Sequence, residues 1–445
     1  MALILRESID SLCAEFTELR KKTLNLFKPL KVEDAVIQSD PFGSPPNWHL
    51  AHTTWFFQKV LEKHGKKLEL GKQINSRYLN SYYQKFQSIL PKPERGRFPR
   101  PTVEETLRYR SSMEKEVLAF LKSVESSKQV SEELLYDIML ANQHEMQHQE
   151  LMIYDFQHYF QRFPDPEDNY TPLTVRKPPE PKEKPTGMVE IPGGIYELGF
   201  NGEGFCYDNE LPEHKVYLKN FKIDVTPVTN GEYMKFIEEA GYEEFSYWLS
   251  DGWDLMKEQG WKAPLYWERK DDAWVKKDFR GYSKIDQDEP VINVSYYEAD
   301  AYARWSGKRL PTESEWEKAA SWNEDLQRKT RYPWGDEKPA IEHGNFLESY
   351  TWAPSKVGSY PKGKSYFGCH QMIGDVWEWT SSEYMLYPGF ECRFSEYTDK
   401  WAINQKVLRG GSFATPLNQI RNSYRNYFRP HDRILFVGFR CAKDI

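Results

Sequence analysis

Between Pro164 and Gly187 the chain places Pro164, Pro166, Pro172, Pro178, Pro179, Pro181 and Pro185 among charged residues. Each proline fixes φ and removes a backbone donor, so this stretch can continue neither a helix nor a strand ladder. It divides the 445 residues into a first region, 1–163, a linker, 164–187, and a second region, 188–445. That length has room for two or three domains, each with its own core. Hydrophobic residues make up 39% and charged residues 29% of the chain, a balance that supports folding and excludes a disordered chain.

The two regions differ in texture. In the first, apolar residues recur with helical period over Glu7–Phe27, His52–His64, Thr102–Val124 and Ser131–Phe160, which predicts a four-helix bundle. The connection Gly65–Pro101, rich in Tyr, Pro and Arg, is long for a bundle and reads as a candidate lid. In the second, short β-type runs such as Met188–Leu198, His214–Val225 and Val407–Phe413 alternate with turns. Helices are expected at Thr229–Ala240, Ser295–Trp305 and Thr312–Ala320, the last two opening on Ser295/Glu298 and Thr312/Glu315 at capping-box spacing. The fold class is thus multidomain, α followed by a loop-rich α+β domain.

Sixty Lys and Arg stand against 67 Asp and Glu, a formal charge of -7, which argues against a dominant phosphate-binding surface, so no nucleic-acid partner is expected. No apolar run approaches the roughly 20 residues that span a bilayer, and Met1–Leu5 is too short for a signal-peptide core. The expectation is a soluble, cytoplasmic protein without a membrane partner. The five cysteines are scattered and include no Cys-x-x-Cys pair, so neither a disulfide framework nor a zinc ribbon is suggested.

The strongest chemical signal is His144-Glu145-Met146-Gln147-His148 within the fourth helical segment. Residues four apart lie about 40° from each other around a helix, so both imidazoles project from one face, the stripe Ala141, His144, His148 and Leu151. Two inward imidazoles in a low-dielectric site resist protonation, and neutral imidazole is a ligand for Fe, Zn, Cu and Ni. Glu150 and Glu145 are turned away by about 200° and 100° from His148 and His144, so a third ligand has to come from another helix. The segment Trp48–Phe57 offers His49 and His52. His52 shares a face with Trp48, Trp55 and Phe56, whereas His49 lies nearer the helix start, where capping or hydrogen bonding is the simpler role. Three histidines would leave coordination positions open, which suits catalysis.

The run Ser44-Pro45-Pro46-Asn47-Trp48-His49-Leu50-Ala51-His52, with His144-x-x-x-His148-x-Glu150, resembles the DinB-type bundle of the ergothioneine-biosynthesis sulfoxide synthases, the EgtB type. The second region is similar to the formylglycine-generating/sulfatase-modifying domain, a C-type-lectin-like fold that follows the bundle in that family. It carries Asp208-Asn209-Glu210-Leu211-Pro212, Arg309-Leu310-Pro311-Thr312-Glu313, Gly374-Asp375-Val376-Trp377-Glu378-Trp379, Arg409-Gly410-Gly411-Ser412 and Gly438-Phe439-Arg440. By themselves such glycines and ion-pairing residues serve turns, caps and buried pairs, so they identify a fold and leave the chemistry to the site.

The resemblance implies non-haem Fe(II) held by His52, His144 and His148, and a reaction that couples a cysteine sulfur to the imidazole of trimethylhistidine (hercynine) with O2, leaving a sulfoxide. Small molecules are the implied partners, bound in a cleft between the domains. It assigns Gln147 and the run Asn426, Tyr427 and Phe428 to the trimethylated amino acid, whose cation aromatic faces attract. It assigns Arg97 and Arg100 to the donor's carboxylate, and Tyr82 and Tyr83 to proton or electron supply during sulfur oxidation. Tyr384 and Tyr387 are held in reserve for that last role. Phe428 stands where relatives using γ-glutamylcysteine carry an acidic residue, which favours free cysteine, with γ-glutamylcysteine as the alternative. The chain ends soon after Arg440, so no ovothiol-type methyltransferase is expected and ovothiol chemistry is the lesser alternative.

Readings from other classes use the same residues. A formylglycine-generating oxidase would need paired reactive cysteines, and Cys369, Cys392 and Cys441 form no such motif. A non-catalytic metal-binding ligand-recognition protein would hold zinc, which supports no oxygen chemistry. A metal-dependent thiol transferase would work without O2.

Overall fold

Ser8 opens the first helix: its hydroxyl accepts the Ser11 amide at 3.1 Å, and α1 runs over Ile9–Phe27. The sequence predicts a second helix from His52, but α2 spans Pro46–Lys63. Pro46 takes the first helical position, where its missing N–H would have had no partner and its fixed φ already suits the helix. Trp48, His49 and His52 consequently share one rigid element. Thr102 and Glu105 form a capping box ahead of α3, Val103–Ser126, and α4 covers Glu132–Gln161. This is the computed structural model of the chain, and it describes residues 8–68, 74, 76–86, 89–97, 101–161 and 169–445.

The bundle buries charge as well as apolar surface. Glu145 on α4 is fully buried and accepts Arg20 Nη1 of α1 at 2.8 Å, Thr23 Oγ1 at 2.6 Å and Arg110 Nη2 of α3. Burial would raise its pKa, but the two guanidiniums hold it down to about 2. Three helices are thereby pinned at the residue next to His144, which fixes the rotation of α4. Among the described residues this unit comprises the chain up to Leu173 together with two short segments from later in it, Gly202–Tyr207 and Cys392–Lys400.

The second unit contains Thr174–Asn201, Asp208–Glu391 and Trp401–Ile445. Capping boxes open α5, Asn230–Glu238, at Thr229/Glu232; α7, Tyr296–Trp305, at Ser295/Glu298; and α8, Glu313–Ser321, at Thr312/Glu315. Between them lies α6, Ser250–Gln259, absent from the sequence reading because only Gly252 and Met256 of its residues are buried, too few to set a period. A four-stranded sheet runs in the order Asn426–Phe428, Lys406–Arg409, Trp377–Glu383, Val437–Gly438, with the last pair parallel. Trp316 and Trp377 are fully buried, and Trp316 Nε1 donates to Glu378 Oε2 at 2.8 Å, the carboxylate that also takes Arg440. Gly410 has φ +100°, and a Cβ there would meet Met372 O at 2.6 Å, so the Arg-Gly-Gly-Ser run serves a tight backbone approach. The chain is therefore a helical bundle followed by a strand-bearing, loop-rich α+β unit. Among the described residues no helix is long and apolar enough to cross a membrane.

Candidate metal centre

His52 on α2 and His144 and His148 on α4 bring ring nitrogens within 4.8 Å of one another, all buried. The neighbours fix how each ring lies. Trp48, one turn before His52, stacks flat on it with centroids 4.3 Å apart and planes 12° apart. Phe56, one turn after His52, packs on His144 at 4.2 Å. His52 Nδ1 lies against the carbonyl of Leu79, so the proton sits on Nδ1 and Nε2 keeps its lone pair. His148 Nε2 and His144 Nε2 face each other at 3.1 Å.

These residues fit a metal ion. Among the described residues, His52 Nε2 is a buried nitrogen with no hydrogen-bond partner, the unmet group expected of a ligand. Two imidazole nitrogens on adjacent positions of one first-row ion, each about 2.1 Å from it, sit about 3 Å apart, and the two Nε2 atoms on α4 have that spacing. Burial, reinforced by neighbouring imidazoles at His52 and His148, lowers all three pKa values, with His144 down to about 3. Neutral rings keep their lone pairs for a cation.

Around the trio stand Arg95 and Tyr397, which no local pattern marks, and His49, whose expected hydrogen-bonding role the structure shows. Arg95 is buried, donates to Ser81 Oγ at 3.0 Å and to Ser44 Oγ at 2.5 Å, and lies 3.6 Å over the Trp48 ring. Its Nη2 has no acceptor among the described residues. His49 links His148 to Asp155 through contacts of 2.7 and 2.8 Å. Tyr397, from the segment Cys392–Lys400, has its ring 5.8 Å from His144 and donates its hydroxyl to Gln147 Oε1 at 2.6 Å. Their signals were faint: His49 and Asp155 stand at helical spacing from two ligand candidates, Arg95 begins the Arg-Gly-Arg run, and nothing local marks Tyr397.

The residues picked from sequence fall into three groups. Gln147 is joined to Tyr397 as described. Tyr82 has its ring 6.0 Å from His52 and 4.9 Å from the Arg95 guanidinium; burial alone would raise its pKa, but Arg95 and Lys92 bring it below the usual phenol value. Tyr83 turns into a cluster of Trp55, Phe56 and Phe394, and burial pushes its phenol well up. Arg97 is not brought to the histidines: its side chain is 77% exposed and pairs with Glu94 at 3.4 Å. The charge that does stand there is Arg95, because the turn after Lys92–Glu94 directs Arg95 inward and Arg97 outward. Arg100 lies outside the described residues. Asn426, Tyr427 and Phe428 form an edge strand of the second unit, half-buried, with Tyr427 stacked on Tyr384 at 3.9 Å. Tyr384 and Tyr387 are buried in the second unit, tied to Asn209 and to Glu313.

The fold and the trio define a class: a DinB-type bundle with a buried three-histidine site, joined to a sulfatase-modifying domain. Residues 15–152 match the DinB superfamily and residues 175–445 the sulfatase-modifying factor enzyme 1-like domain. The hercynine oxygenase of Mycolicibacterium smegmatis is 32% identical over 98% of this chain and 99% of its own length. That of Mycolicibacterium thermoresistibile is 33% identical over 98% of this chain and 95% of its own length. That of Mycobacterium tuberculosis is 43% identical over 54% of this chain and 56% of its own length. The chain belongs to the hercynine oxygenase family, the EgtB-type sulfoxide synthases of ergothioneine biosynthesis.

Proposed function

We propose that this protein joins the sulfur of cysteine to the imidazole of hercynine with O2 and leaves the product as a sulfoxide, using Fe(II) held by His52, His144 and His148. The observation that carries this reading is the convergence of three buried, neutral imidazoles in a chain similar to hercynine oxygenases end to end. Three neutral ligands leave Fe(II) its full charge and open positions, the condition for binding two substrates and activating oxygen.

The chain's own residues supply the rest. The packing of Trp48 and Phe56 on two of the rings keeps water from the nitrogens and holds them ready. Arg95, whose buried Nη2 has no acceptor, suits a substrate carboxylate by a charge-assisted bond. On this reading the donor's acid group meets Arg95 rather than the outward-facing Arg97. By the family resemblance Gln147 serves the hercynine, and, within the second unit, the aromatic faces of Tyr427 and Phe428 with Asn426 suit a trimethylammonium group. Of the tyrosines, Tyr82 fits proton donation better than Tyr83, because its phenol is the more acidic and stands beside His52 and Arg95. By the family resemblance Phe428 stands where users of γ-glutamylcysteine carry an acidic residue, which supports cysteine over γ-glutamylcysteine.

The test is anaerobic loading with Fe(II), addition of cysteine and hercynine, then admission of air and measurement of product mass. One adduct of both amino acids carrying one added oxygen supports the reading. Equal turnover without O2, or with zinc in place of iron, overturns it.

A further inference from the structure

His148 is held from both ends of its ring, and the groups that hold it lead to a carboxylate. Its Nε2 faces the trio; its Nδ1 stands 2.7 Å from Nδ1 of His49. The other nitrogen of His49, Nε2, stands 2.8 Å from Asp155 Oδ2. That same oxygen accepts the backbone N–H of Ser44 at 3.1 Å. All three side chains and Ser44 are buried.

An oxygen that already accepts an amide proton is an acceptor, so the His49 contact to it carries the proton on His49 Nε2. His49 Nδ1 is then a lone pair. The His49–His148 contact in turn needs its proton on His148 Nδ1, which strips the proton from His148 Nε2, the nitrogen facing His144. One carboxylate thus settles the tautomers of two rings in series, since a neutral imidazole has one donor and one acceptor.

We propose that Asp155 and His49 form a relay that fixes the tautomer of His148 and aims its Nε2 lone pair at the metal position, which makes both of them positioning residues for metal capture. The inference rests on the metal reading above and adds to it the route by which one ligand is prepared. The spacing is built into the helices. His49 precedes His52 by about one turn of α2, and Asp155 follows His148 by about two turns along the same face of α4. Partners that orient a metal-bound histidine in this way are worth about 10–100-fold in affinity.

The test uses the full chain, metal-free, with 15N-labelled histidine, His148 being assigned by the resonance lost in His148→Gln. In the unsubstituted protein the relay requires a protonated Nδ1 and an unprotonated Nε2 on His148. Asp155→Ala removes the anchor; His148 should then populate both tautomers, and Co(II) affinity should fall about 10–100-fold. Asp155→Asn is the rescue. The Ser44 amide demands an acceptor at the shared position, so the asparagine carbonyl faces both donors and both readouts should stay near those of the unsubstituted protein. A variant that merely loosened the fold would lower affinity without this tautomer change. A protein that takes up Co(II) yet carries its proton on His148 Nε2 when metal-free overturns the relay alone, as does an Asp155→Ala variant with unchanged tautomer and affinity. A protein with the expected tautomer that takes up no Co(II) overturns the metal reading and with it the relay's purpose. The tautomer of the unsubstituted protein decides the matter even if Asp155→Ala does not fold.

Discussion

Arg20 Nη1 donates to Glu145 Oε2 at 2.8 Å, deep in the bundle and one residue along the chain from His144. The pair, completed by Arg110, locks the helix that carries two of the three histidines. Removing one partner of a buried ion pair leaves the others uncompensated and costs about 3–5 kcal/mol. Glu145→Gln should therefore lower unfolding stability by about that amount in urea titrations. A loss within experimental error of zero would remove the network from its anchoring role.

His52→Ala, His144→Ala and His148→Ala should each abolish tight Fe(II) binding and sulfoxide formation together, because each supplies one of the converging nitrogens. Equilibrium dialysis against Fe(II) under nitrogen checks this. Tight binding retained by one variant would strike that residue from the ligand set.

The buried imidazoles give the metal-free protein a pH dependence of defined sign. The pKa of His144 falls from the ordinary value of about 6.5 to about 3, and those of His49, His52 and His148 are lowered too. Below about pH 6.5 the unfolded chain takes up protons that the native site refuses. Stability is complete above that pH and is lost as the pH falls toward about 3. Thermal melts of the apoprotein from pH 7.5 down to 4 should decline steadily, and the decline should shrink in the double variant His144→Gln/His148→Gln.

Tyr82→Phe should reduce sulfoxide formation by about 100-fold or more, the range for loss of a positioned proton donor, with Tyr83→Phe affecting it less. Single-turnover kinetics with product mass separates the two. The reverse order would move the role to Tyr83.

Replacing cysteine by γ-glutamylcysteine should lower kcat/KM, and Phe428→Asp should narrow the difference. Equal kcat/KM values in the unsubstituted protein would contradict the donor inferred from Phe428.

The four bundle helices and the His144/His148 pair were legible because helical period and i, i+4 spacing are local properties that survive without knowledge of the rest of the chain. The Pro46 start of α2 was missed because the apolar period around His52 is stronger than the single proline that marks the helix entrance. The site's surroundings were harder to read. Arg97 and Arg95 are two residues apart in one basic run, and only the turn between them decides which guanidinium is buried.

From the sequence alone came the bundle, the capping boxes of the second unit and the inward histidines, since each depends on a short repeating pattern or a backbone constraint. Tertiary structure alone decided that Asp155 reaches His49, and that Tyr397, hundreds of residues downstream of the helices, packs beside His144. Those pairings depend on where separate elements come to rest in three dimensions, and no local period or propensity encodes a distance between residues so far apart in the chain.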